Sequence, residues 1–262
     1  MISKISKGTK MDQIYIPKNR IGFEIGSYVF IKPAEEKTQT INTFFYGVNN
    51  LEPIKMEVIQ NVFTILTKHC DTVIITGSFL DKGFNFNDID IIVVVEEKIH
   101  SQLLVKKIEE NTGIKVHLIT LNYKTLKEGL ETDPLYKMMI SKCVSSKRIV
   151  LNVNKKINFK LLDIHLLKSK QMVDNYDILN GNQKYHLTRN MIAILLFLGD
   201  KRIHKEAVDK SIESELGVTI HELKDNMLDK QLFLRRYKSL YNIIFNTIMK
   251  GINHDKKQKQ TN

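Results

Sequence analysis

The chain has no tryptophan, two cysteines and four prolines in its 262 residues. Cys70 and Cys143 lie far apart and in no CxxC or Cys/His spacing, which excludes a cysteine-held zinc or iron–sulfur site and any disulfide framework. The two thiols read as buried groups of a reducing cytoplasm. No internal repeat or low-complexity block is present, which excludes solenoids and Pro-rich spacers. The longest apolar run, Met191–Leu198, falls far short of the ~20 residues that span a bilayer. The opening residues, Met1-Ile-Ser-Lys-Ile-Ser-Lys-Gly8, lack an apolar signal core. These absences lead us to expect a soluble cytoplasmic protein with no membrane partner.

Hydrophobic residues make up 42% of the chain and charged residues 26%, enough for one large domain or two modest ones. The formal net charge is +11, and it is unevenly spread. Residues 151–262 carry 20 Lys and Arg against 12 Asp and Glu, whereas residues 1–150 carry 20 against 17. A basic C-terminal half suits a polyanionic partner such as RNA, DNA or a nucleotide. The plainer explanation is a solvated, Lys-rich surface.

Periodicity divides the chain. Residues 1–34 read as a short β unit, with strands at Gln13–Pro17 and Gly26–Lys32 after a loose start. The string Tyr15–Ile31 is similar to one arm of the swapped-hairpin DNA-binding domains of transition-state regulators. Such an arm binds DNA or joins two copies into a homodimer; the plain alternative is a strand pair. Residues 35–53 are polar and read as a linker. Over 54–154, helical spacing at Ile54, Val58, Val62, Ile65 and Leu66 precedes β-branched strands at Thr72–Thr76, Asp88–Val95 and Lys115–Leu121. Helices are expected at 101–111, 124–130 and 135–141, and a fourth strand at Arg148–Asn152. That order predicts an α/β (α+β) domain with a mixed sheet. Residues 155–253 read as an all-helical bundle with helices at 161–177, 185–198, 205–215 and 231–251. Residues 254–262 read as a basic tail.

The informative segment is Ile74–Val94. A strand runs into Gly77-Ser78, where glycine permits a tight turn with exposed amides. Those amides and the Ser78 hydroxyl suit a phosphate oxygen. Further on, Asp88 and Asp90 alternate with Ile89 and Ile91, and a period of two puts both carboxylates on one face. Paired carboxylates repel unless a cation lies between them, and hard oxygen ligands suit Mg²⁺ or Mn²⁺ shared with substrate phosphates. The rest of the strand, Ile-Ile-Val-Val-Val, reads as buried on both faces, where two aspartates are costly unless they serve a purpose. The bland alternatives are chance, a structural cation bound by the two aspartates, and a solvent-facing strand end.

The pattern hydrophobic–Gly77–Ser78, spacer, Asp88–hydrophobic–Asp90 resembles the signature of the polymerase beta-like nucleotidyltransferase superfamily. Gly83 falls near a glycine often found in that loop, with one extra residue in the spacer. Asp133–Ile140 followed by Arg148–Asn152 resembles the end of small family members. The resemblance covers roughly residues 54–152, a minimal nucleotidyltransferase-type domain followed here by helices. It implies Mg²⁺ or Mn²⁺ at Asp88 and Asp90, phosphate contacts from Gly77 and Ser78, and an NTP such as ATP as substrate. It also implies transfer of a nucleoside monophosphate to a hydroxyl of RNA, a small molecule or a protein, with release of pyrophosphate.

One departure stands out. The family usually carries a third carboxylate on the next strand, where this chain has His117. An imidazole can accept a proton or ligate a metal; it is equally the mark of a weakened enzyme, or an ordinary half-buried histidine. The alternative function is therefore a nucleotide-sensing or nucleic-acid-binding regulator. Lys82, in the loop beside Asp81, is a further candidate for triphosphate contact. Arg189, Lys201, Arg202, Arg235 and Arg236 are candidates to meet phosphates or base, and Tyr185, Tyr237 and Tyr241 to stack a base. At helical spacing these are more often surface and core residues.

Overall fold

Alternation with a period of two along three β-branched runs, and of 3.6 residues between them, sets the architecture. A computed structural model of the chain describes residues 5–16, 18, 25–26, 41–97, 99–150 and 153–260. Contacts divide it into two units, residues 1–40 and 41–262.

In the first unit, β1 (Ile5–Ser6) pairs antiparallel with β2 (Gln13–Ile14), in register Ile5 with Ile14. The expected start of a strand at Gln13 is there, but its partner is the stretch expected to be loose. The expected strand at Gly26–Lys32 lies, beyond Gly26, outside the described residues.

The second unit holds a five-stranded mixed sheet in the order β3-β7-β4-β5-β6. Its strands are β3 (Phe44–Tyr46), β4 (Thr72–Thr76), β5 (Asp88–Val94), β6 (Lys115–Leu121) and β7 (Cys143–Ser145). β5 and β6 run parallel, joined by a crossover through α2 (Ser101–Thr112); the other pairs are antiparallel. Alternate residues of the central strands feed two cores. Val73, Ile75, Ile89, Ile91 and Val93 pack against α1 (Pro53–Leu66) and α2 through Ile59, Val62, Phe63, Leu104 and Ile108. On the opposite face, Ile74, Ile92 and Val94 pack against α3 (Tyr123–Thr132) and α4 (Pro134–Ile140) through Leu126, Leu130 and Ile140. Burying each such side chain fully is worth about 1.5–3 kcal/mol.

Two expectations are corrected here. The segment expected as a linker contains β3, and the strand expected at Arg148–Asn152 is instead Cys143–Ser145, which lies between β3 and β4. Val144 and Ser145 complete the ladder beside Ile75 and Ile74, leaving residues 148–150 outside the sheet, where Ile149 N–H donates to the Tyr46 hydroxyl over 2.8 Å. Residues 151 and 152 lie outside the described residues.

The C-terminal portion is helical throughout: α5 (Phe159–Ser169), α6 (Gln171–Asp174), α7 (Gly181–Leu198), α8 (Lys205–Leu216), α9 (Ile220–Lys224) and α10 (Lys230–Gln260). The single helix expected over 161–177 breaks at Lys170, whose N–H turns back to Leu167 O in a tightened last turn. α7 starts at a reciprocal capping box between Asn180 and Gln183, and α9 at one between Thr219 and Glu222. α10 continues to Gln260, through most of the residues expected as a tail, a stretch rich in Lys and Gln, both good helix formers. Its inward stripe, Phe233, Tyr237, Leu240, Ile244 and Ile248, joins Leu162, Leu166, Met191 and Ile192 in one core. Among the described residues no helix is long and apolar enough to cross a membrane.

Candidate active site

Asp88 and Asp90 begin β5, where burial alternates as the sequence demands. Ile89 and Ile91 are fully buried, while both aspartates are half-buried on the other face. That face carries Ile92 and Val94 further along, beneath α3 and α4. Beyond the apolar cover the same row of the sheet becomes polar. In the parallel ladder Asp90 is the register partner of His117, and His117 Nδ1 lies 3.1 Å from Asp90 Oδ1. Asp90 is one-third exposed and His117 about two-thirds. Strand parity thus brings Asp88, Asp90 and His117 onto one face, with the last two in contact.

On the other side of β5, Thr76 is the register partner of Asp90. The next residue, Gly77, has φ +85°, and a Cβ there would sit 2.2 Å from Asp90 Oδ2. Glycine is required twice over, by the backbone angle and by the carboxylate pressed against its Cα. Ser78 follows, exposed, at the start of a 3₁₀ turn over Ser78–Leu80 whose inward side chains Phe79 and Leu80 are buried. Thr76 fixes the strand end: its Oγ1 lies 2.6 Å from Met139 O and 3.1 Å from Lys142 O.

The loop between the turn and β5 is held by a residue that periodicity assigns merely to a helix. Lys55, on the first turn of α1, is 1% exposed. Its Nζ donates to Asp81 O over 2.5 Å and to Gly83 O over 2.6 Å, and pairs with Glu52 Oε2 at 3.0 Å. Three rings, Phe79, Phe84 and Phe86, lie 5.5–5.8 Å from the ammonium. Glu52 closes the clamp by accepting the Gly83 N–H at 2.6 Å. That backbone hydrogen bond, with Lys55 beside it, holds the Glu52 carboxyl at about 2. A depressed carboxyl contributes stability that is present above its ordinary value of 4.5 and is lost as pH falls toward 2. Thermal melts should therefore show wild type more stable than Glu52→Gln at pH 7, with the gap closing between about pH 4.5 and 2. A gap independent of pH would contradict this assignment.

Asp81 ends the 3₁₀ turn, its N–H donating to Ser78 O at 2.9 Å. Its carboxylate receives two lysines, Lys142 on Oδ1 at 2.5 Å and Lys205 on Oδ2 at 2.6 Å. Burial pushes the Asp81 carboxyl up, but the two ammonium groups outweigh it and hold it below its ordinary range. Lys205 opens α8, so this contact ties the loop after Ser78 to the helical portion. Neither lysine is marked by sequence spacing, since their common partner lies 61 and 124 residues away.

The remaining sequence candidates disperse. Lys82 is exposed on the loop. Tyr237 is fully buried, donating to Ser169 O, and cannot stack a base. Tyr185 is 5% exposed and donates to Asp209, and Tyr241 stacks on Phe245. Arg189 is half-buried beside Tyr185, Arg236 donates to Leu216 O, and Lys201, Arg202 and Arg235 are exposed. Burial pushes the Cys143 thiol up to about 12 and the Cys70 thiol to about 11, so neither is a nucleophile at neutral pH. Among the described residues no group of three or more His, Cys, Asp or Glu side chains could hold a metal ion. No protein-family model, curated protein or solved structure matches the chain.

Proposed function

We propose that the chain is a nucleotidyltransferase of the polymerase beta-like kind that its motif resembles. It would move a nucleoside monophosphate from an NTP to a hydroxyl acceptor and release pyrophosphate. One observation carries this reading: Asp88 and Asp90 stand half-buried on one face at the start of a buried strand, with Asp90 against Gly77 and beside His117.

The donor set fits Mg²⁺ or Mn²⁺. Hard carboxylate oxygens suit either ion, and Mg²⁺ commonly takes one or two carboxylates from a protein while sharing the rest of its shell with phosphates and water. Asp88 and Asp90 would hold it. When bound, the ion supplies Lewis-acid polarisation of the phosphoryl group and neutralises its charge.

The chain's own groups do the rest. The exposed Ser78 hydroxyl donates to a phosphate oxygen. Asp90 accepts from His117 Nδ1–H, which fixes the imidazole tautomer and leaves Nε2 as a proton acceptor. The acceptor hydroxyl attacks the α-phosphorus as Nε2 takes its proton. A new O–P bond forms, the bond to the bridging oxygen breaks, and pyrophosphate leaves with the electron pair. Asp90 then stabilises the imidazolium. His117 thus takes the part that the family gives to a third carboxylate.

Purified protein given Mg²⁺, the four α-labelled NTPs and RNA should release pyrophosphate and transfer label to RNA or to itself. Asp88→Ala should abolish both, and His117→Ala should slow them about 10²–10⁴-fold while nucleotide affinity persists. Identical behaviour of wild type and Asp88→Ala would refute the enzyme and favour a nucleotide-sensing or nucleic-acid-binding regulator.

A further inference from the structure

A carboxylate with two lysines converging on it from distant parts of the chain is a built anion site whose occupant belongs to the protein itself. Asp81 is that occupant. Lys142 comes from the turn between α4 and β7, and Lys205 from the start of α8. Lys142 is about one-quarter exposed, Asp81 one-third and Lys205 two-fifths, so solvent and solutes reach the trio. A 3₁₀ turn rises about 2 Å per residue, which sets Asp81 about 6 Å along its axis from Ser78. A polyphosphate chain spans that distance.

We infer that Lys142 and Lys205 form a polyphosphate subsite, and that Asp81 is a placeholder for the terminal phosphates of an incoming triphosphate. The inference rests on the transferase reading for the identity of the ligand. The chemistry is an exchange of anions. Both ammonium groups keep an anionic partner before and after, and the one-third-exposed Asp81 carboxylate exchanges its lysines for water. A terminal phosphate carries more negative charge than a carboxylate, and offers more acceptor oxygens to two separate point charges. Occupation of the subsite releases Asp81 to solvent. Because Lys205 belongs to α8, phosphate would then take over from Asp81 the link between the sheet and the helical portion. Glu206, next to Lys205, is taken up by His204 at 2.9 Å and does not compete for the lysines.

Placeholder and simple structural latch make opposite predictions for Asp81→Asn. The asparagine variant frees both lysines of their bound charge. Calorimetry with inorganic tripolyphosphate and with Mg·ATP should show it binding both more tightly than wild type, by about tenfold. Lys142→Met and Lys205→Met should each weaken both ligands about tenfold, the loss of one charge-assisted hydrogen bond, and leave AMP affinity unchanged. Lys142→Arg should restore most of the affinity. Melting curves of every variant establish that it is folded. Unaltered tripolyphosphate binding in the two Met variants, or weaker binding in folded Asp81→Asn, would overturn the inference. Asp90→Asn separates this from the transferase reading. If it leaves the Mg²⁺ dependence of ATP binding intact while the lysine variants lose affinity, the subsite stands and the transferase reading falls.

Discussion

Gly77→Ala should cost the protein about 100-fold in nucleotidyl transfer with only a modest loss of stability. An alanine at φ +85°, ψ −168° sits in backbone territory essentially confined to glycine, at a cost on the order of 1–3 kcal/mol. Its methyl would also sit 2.2 Å from Asp90 Oδ2, so the carboxylate must move or the turn must shift. The first displaces Asp90 relative to Asp88 and breaks its 3.1 Å contact with His117; the second carries Ser78 away from the aspartates. A misplacement of about 1 Å at a reacting centre costs on the order of 100-fold. Steady-state kinetics beside a melting curve would check it. A variant with wild-type turnover would mean that the position of Asp90 against Gly77 has no bearing on activity.

Lys55→Met should have the larger effect on stability. The ammonium is buried, meets two carbonyl oxygens and a carboxylate, and lies among three aromatic rings. Removing one partner of a buried ion pair costs about 3–5 kcal/mol because the other charge and its acceptors are stranded. Glu52 is one-quarter exposed, which argues for the lower end, about 3 kcal/mol. For a unit of this size that lowers Tm by roughly 6–12 °C. The double variant Glu52→Gln/Lys55→Met should be less destabilised than the sum of the single changes, since the stranded charge is gone. Strict additivity in thermal or urea melts would contradict the clamp. The same substitution frees the loop over residues 81–87, so transfer should fall even well below Tm.

How far these residues could be read from the sequence depends on the range over which each interaction acts. Asp88, Ile89, Asp90 and Ile91 declare their faces through alternation alone, and β6 appears with its bounds as expected because Lys115–Leu121 is a regular run. Helix cores were legible for the same reason, although ends such as Lys170 and the continuation of α10 turn on backbone hydrogen bonds that periodicity does not record. β3 and β7 have three residues each, too few to establish a period, and exist because each completes a neighbour's ladder. Lys55 carried no signal of its own: a lysine on the first turn of an amphipathic helix ordinarily faces solvent, and only the fold brings Asp81 and Gly83 to it. Lys142 and Lys205 meet only through Asp81. The polar loop after Gly77-Ser78 pointed to Lys82, one residue beyond the carboxylate at which the lysines gather. Tyr237 was a plausible stacking platform by composition, and packing turned it into core.

On the proposed reading, Asp88 and Asp90 jointly hold a divalent ion whose shell a triphosphate completes. Crystals grown with Mn²⁺ and a non-hydrolysable ATP analogue, measured at the manganese absorption edge, address it directly. An anomalous peak is expected within coordinating distance of both carboxylates and of the phosphate oxygens, with Ser78 on the same phosphate chain. Nucleotide bound elsewhere, or manganese absent from both aspartates while the nucleotide is well ordered, would contradict it.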